Sequence, residues 1–103
     1  MVRFMVFYET PDDPDAFERH YRDVHCPLVR ALPDLRHFRV SRNVKDPRGG
    51  DRFYRVAELE WDTAQAMKDS FASPVGKELA ADTAILVPPG KATNVIVEVQ
   101  DAR

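Results

Sequence analysis

At 103 residues, with 44% hydrophobic and 31% charged side chains, the chain has the composition of one folded domain over 1–103 rather than a disordered segment. A formal net charge of -2, with Lys and Arg scattered along the chain, argues against nucleic acid and anionic membrane surfaces as partners. No apolar run approaches the roughly 20 residues that cross a bilayer, and the lone Cys26 has no mate for an internal disulfide, which suits a cytoplasmic setting.

Residues Val2 to Tyr8 mix β-branched and aromatic side chains and then meet Glu9-Thr10-Pro11-Asp12-Asp13, which predicts a strand stopped by a turn. The same segment is too short for an export signal, and acidic residues stand where a small-residue cleavage site would be needed. Asp13 before Pro14 predicts a capped helix start. Phe17, Tyr21, Val24 and Leu28 then recur at the spacing of one buried helical stripe. Pro27 removes a backbone donor inside that helix, so a kink or restart is expected there. Pro33-Asp34 ends the segment.

Leu35 to Arg42 predicts a second strand, with Phe38 and Val40 on one face and His37, Arg39 and Ser41 on the other. Asn43 to Asp51 is rich in polar and turn-forming residues and is expected to be a mobile loop. Phe53 to Trp61 is the third strand. A short helix capped by Asp62 or Thr63 runs to Phe71, and Ser73-Pro74 opens another to about Leu86. Pro88-Pro89-Gly90 stops it, and Thr93 to Val99 is the last strand.

The order is α+β: a ferredoxin-like βαββαβ chain with a four-stranded antiparallel sheet and helices on one face. Such a sheet ordinarily turns a polar second face to water. Here both faces carry large apolar groups: Phe4, Val6 and Tyr8 against Met5 and Phe7, and Phe53 and Leu59 against Tyr54 and Val56. No further element is available to cover the second face, so a homodimer formed sheet against sheet is expected.

The run Phe17-Glu18-Arg19-His20-Tyr21-Arg22-Asp23-Val24-His25-Cys26-Pro27-Leu28 resembles the first-helix signature of the EthD family, an aromatic-rich helix ending in His-x-Pro-Leu. The resemblance continues through Leu32-Pro33-Asp34-Leu35, then Phe71-Ala72-Ser73-Pro74-Val75-Gly76-Lys77 and Asp82. Asp34 departs from it, standing where the family usually has glycine. The resemblance implies a dimeric α+β barrel with a pocket between sheet and helices in each subunit. It leaves the chemistry open, since relatives of that barrel type include cofactor-free isomerases, cyclases and monooxygenases.

At ~100° per residue, His25 lies near 80° and His20 near −60° from Phe17, flanking the buried stripe. His25, beside Pro27 and at the motif position, is the candidate proton carrier. Its alternative role is a boundary histidine bonded to a backbone carbonyl, and His20 reads more readily as structural. Tyr21 points inward, as a hydroxyl for a ligand or as core filling. In the last helix Asp82 shares the apolar stripe of Val75, Leu79 and Leu86, where a carboxylate needs a partner. Either histidine fits that need, as does a helix cap or an interface arginine. His37 and Arg39 are candidates to reach a ligand or the dimer seam, Arg39 as a holder of anionic oxygen.

Cys26 diverges from His25 by ~100° around the helix, which argues against a thiolate–imidazole pair. The histidines are five apart rather than four, and no ligand motif or glycine-rich phosphate loop completes a metal or cofactor site. The expected function is therefore a cofactor-independent isomerase or cyclase for a small carbonyl or lactone compound. The alternatives are a ligand-binding accessory protein of an oxygenase system and a cofactor-free monooxygenase.

Overall fold

The computed structural model describes residues 1–102. Strand β1 (Val2–Glu9) leads into helix α1 (Pro14–His20), a π-turn (Tyr21–His25) and helix α2 (Cys26–Arg30). Strands β2 (His37–Ser41) and β3 (Phe53–Trp61) follow, then helices α3 (Ala64–Ala72) and α4 (Pro74–Leu86) and strand β4 (Ala92–Glu98). The four strands form one antiparallel sheet in the order β2-β3-β1-β4, with the helices across one face, a ferredoxin-like α+β arrangement.

Capping chemistry sets the helix starts. The Asp13 carboxylate accepts from the Ala16 N–H at 3.1 Å, the Thr63 hydroxyl from the Ala66 N–H at 3.0 Å and the Ser73 hydroxyl from the Gly76 N–H at 3.2 Å. Between α3 and α4 the chain turns on Ser73 alone, so the two helices meet closely. A Cβ on Gly76 would collide with the carbonyls of Ser70 and Phe71.

Pro27 does not restart the helix. Backbone angles stay helical through His20, Tyr21, His25 and Cys26, and the Cys26 N–H reaches back to the Tyr21 carbonyl, five residues away. The widened turn gives the proline ring room against the preceding turn, where a regular helix would force a clash. It also takes up one extra residue and changes which side chains face inward. Val24, expected in the buried stripe, is 42% exposed, while His25 is 5% exposed.

On the helix-covered face of the sheet, Val2, Phe4, Val6 and Tyr8 of β1 stand opposite Trp61, Leu59, Ala57 and Arg55 of β3. The register then shifts, so that Glu9 pairs with Phe53 and Tyr54 is the extra residue of a bulge. That bulge exchanges the expected faces of Phe53 and Tyr54. Phe53 sits on the open face against Phe7 at 5.3 Å between ring centres, and the Tyr54 hydroxyl donates to Glu18 of α1 at 2.9 Å. Trp61 is fully buried, and its indole N–H donates to the Pro33 carbonyl at 3.1 Å. Asp34, at the position of the usual glycine, holds a left-handed φ of 59°.

Candidate functional site

An aromatic ladder fixes the first helix on the sheet. Phe17 and Tyr21 stack at 5.4 Å, and Tyr8 meets both edge-on at 5.5 and 5.7 Å. Burying a side chain such as Phe17 contributes about 2–3 kcal/mol. The ladder ends on His25, whose ring stacks on Tyr21 at 5.4 Å and 21°. Tyr21 therefore orients the imidazole from below. Its own hydroxyl is buried without a hydrogen-bond partner among the described residues.

Opposite this ladder, α4 turns Gly76, Leu79 and Asp82 inward at three-residue intervals. Asp82 is 6% exposed and engages both histidines. His25 Nδ1–H donates to Oδ2 at 2.9 Å, and His20 Nε2–H donates to Oδ1 at 2.7 Å. A carboxylate accepts and does not donate, so each imidazole presents a hydrogen to it and keeps its other nitrogen free. For His25 that nitrogen is Nε2. Residues five apart diverge on a regular helix, and the π-turn is what brings these two to one carboxylate. Of the partners that fit Asp82 in the sequence (either histidine, a helix cap or an interface arginine), the structure supplies both histidines.

His25 lines a cavity of about 380 Å³ between the sheet and the helices. Its walls are apolar, including Phe4, Val6, Phe38, Leu59 and Phe71, with Tyr8, Thr83 and Asn94 as polar points. Among the described residues, no Asp, Glu, Lys or Arg lines it. Burial pushes the His25 pKa below its ordinary 6.5, overcoming the opposing pull of the Asp82 carboxylate, and the nearby His20 lowers it further. Burial likewise raises the phenols of Tyr8 and Tyr21 well above their ordinary value, so both stay protonated at neutral pH. The Cys26 thiol is also pushed up by burial, which makes it a poor nucleophile.

His20 opens on the other side of α1 into a hollow of about 370 Å³ that holds Glu9, Asp12, Asp13, Lys91 and the exposed Ile85. The carboxylate of Asp82 thus stands between two hollows, one with largely apolar walls and one edged by charge.

The structure does not bring His37 and Arg39 to this cavity. They project from the sheet face away from the helices, where Arg39 is paired in register with Glu58 and His37 Nε2 lies 3.8 Å from Glu60. Glu60 is buried at 4% exposure and accepts from Arg3 Nε at 2.9 Å. Arg55, on the helix-covered face, was not anticipated. Its guanidinium lies 4.8 Å above the Tyr21 ring and 2.8 Å from Glu18, bracing the base of the ladder. Strand alternation offered the signal, since Arg55 shares a face with Ala57, Leu59 and Trp61. Among the described residues no group of three or more His, Cys, Asp or Glu is arranged to hold a metal ion. No helix there is long and apolar enough to cross a membrane.

Residues 10–88 match the model of the EthD domain. The chain is 33% identical over 84 residues, 82% of each chain, to an uncharacterised 11.0 kDa protein from the thcB-thcC intergenic region of Rhodococcus erythropolis. Among solved structures, an EthD family protein from Bacillus halodurans superposes with a TM-score of 0.87 at 33% identity, covering 97% of this chain and 99% of that one. The hydroxynitrile lyase of Passiflora edulis superposes with a TM-score of 0.76 over 99% of this chain and 95% of that one. At 15% identity the lyase shares the fold alone.

Proposed function

Because the chain belongs to the EthD family, we propose that it is an enzyme in which His25 moves a proton on an uncharged carbonyl or lactone compound, as an isomerase or cyclase that needs no cofactor. The observation that carries this reading is the pairing of His25. Nδ1 is tied to a buried carboxylate, and Nε2 is left as the free nitrogen of a side chain lining an apolar cavity. Burial keeps the imidazole in its neutral, basic form near pH 7.

In the proposed step, Nε2 takes a proton from the carbon next to the carbonyl. The C–H electron pair moves onto the carbonyl oxygen as an enolate, and Asp82 stabilises the imidazolium. Tyr8, Thr83 and Asn94 are the donors that the cavity lining offers an enolate oxygen, the Tyr8 phenol staying protonated. The imidazolium then returns the proton to a different carbon, which completes an isomerisation without gain or loss of electrons. An uncharged substrate fits walls that lack a cation and have the Asp82 carboxylate behind them. The hydroxynitrile lyase supports the reading at the level of fold only, as an enzyme on the same scaffold. We propose further that a second copy of the chain covers the open sheet face, where Met5, Phe7, Val56 and Val97 are only partly buried.

The test is hydrogen–deuterium exchange at carbon, followed by NMR in heavy water with a panel of cyclic ketones and lactones. Exchange next to the carbonyl is expected with the native protein, and His25→Gln should slow it by about 100-fold or more. A ligand that binds without exchanging would replace this reading with that of a ligand-binding accessory protein, and exchange that His25→Gln leaves intact would remove His25 as the proton carrier.

A further inference from the structure

The proton-transfer reading assigns work to one histidine, yet the structure commits the same carboxylate to two. His20 Nε2 holds Oδ1 of Asp82 at 2.7 Å, and this leaves Oδ2 directed at His25 Nδ1 at 2.9 Å. The Asp82 side chain is 8% exposed, so water gives little help in fixing or screening it. His20 itself is 29% exposed at the side chain and faces the charge-edged hollow rather than the apolar cavity.

We infer that His20 is a positioning residue for His25: it clamps Asp82 so that the second oxygen sets the His25 tautomer, and it competes with His25 for the same negative charge. The first effect is geometric. A carboxylate held at one oxygen cannot rotate away from the imidazole at the other, so His25 keeps its hydrogen on Nδ1 and its lone pair on Nε2. The second is electrostatic. Charge on His20 disfavours charge on His25 beside the same buried carboxylate. Besides Asp82 and His25, the charged groups around His20 are Glu9 from β1, Asp12 and Asp13 from the segment before α1, and Lys91 from the segment before β4. The hollow that holds His20 thereby has an electrical path to the basicity of the apolar site, through one side chain.

This inference deepens the proton-transfer reading and rests on it for its purpose, but it is measured without substrate. Long-range nitrogen NMR on the ligand-free full chain reads the tautomer and titration of His25 in the native protein, His20→Gln and His20→Leu. In the native protein, neutral His25 is expected to carry its hydrogen on Nδ1. Glutamine retains an N–H donor for Oδ1 without titrating. His20→Gln should therefore preserve the tautomer while the His25 midpoint rises by about one unit. His20→Leu removes the clamp, and the tautomer preference should fall by about tenfold. Identical His25 tautomer and midpoint in all three proteins would overturn the inference. Should the leucine variant fail to fold, an unshifted midpoint in His20→Gln overturns it alone. A shifted midpoint alongside absent carbon exchange would sustain the clamp and refute the isomerase, so the two failures are separable.

Discussion

At the residue scale, the decisive feature is a histidine held neutral by burial beside a carboxylate that pulls the other way. Burial is the larger influence, and the folded-state pKa of His25 lies below 6.5. Between that depressed value and 6.5 the unfolded chain binds a proton that the folded chain does not, so stability rises with pH across this window. The contribution is complete above about pH 6.5 and is lost as pH falls toward the native value, with a slope of at most about 1.4 kcal/mol per unit. Chemical denaturation between pH 7.5 and pH 5 should show this decline in the native protein and a flatter profile in His25→Gln. His25 and Asp82 were legible in the sequence because each sits on or beside an apolar helical stripe where a polar group needs a reason. That both histidines share Asp82 at once was not legible, because five-residue spacing separates side chains on any regular helix. His37 and Arg39 were assigned to a sheet face correctly, but alternation along a strand does not say which hollow that face meets.

At the element scale, starts and stops were written in cap chemistry and were readable to within about two residues. Asp13-Pro14, Thr63 and Ser73-Pro74 mark helix starts, and Phe53–Trp61 appears as the third strand with the bounds expected of it. Two irregularities escaped the pattern. Pro27 announces that the first helix must give way somewhere, yet whether it breaks or widens depends on packing that the sequence does not display. The Tyr54 bulge likewise depends on Tyr54 reaching Glu18 across the sheet–helix interface. The α3–α4 elbow makes the sharpest prediction here. Gly76→Ala pushes a methyl group into the carbonyls of Ser70 and Phe71, and should cost about 1–3 kcal/mol or more. The check is the denaturation midpoint. Loss of ligand binding should accompany it, because Gly76 also lines the cavity beside His25.

At the scale of the whole molecule, the fold was the most legible part, since strand–helix order and strict alternation leave few topologies open. The same alternation exposed the uncovered face, which in the structure carries Phe7 and Phe53 side by side and, further along the strands, an Arg3–Glu60 pair whose carboxylate is buried while the arginine is partly exposed. If a second copy covers this face, Phe7→Glu places a carboxylate in the seam and should weaken association by at least about 100-fold. Analytical ultracentrifugation would show a dimer for the native chain and a monomer for the variant, while an unchanged monomeric mass for both would remove the dimer. The π-turn has a consequence for ancestry as well as for chemistry. A widened turn is the trace that one inserted residue leaves in a helix, so losing one residue between Tyr21 and His25 would restore a regular helix. The two histidines would then stand four apart, still on one face. Related chains can thus differ by a single gap at this point and keep the same three-residue cluster, which makes the shared carboxylate a better marker of kinship than the spacing of the histidines.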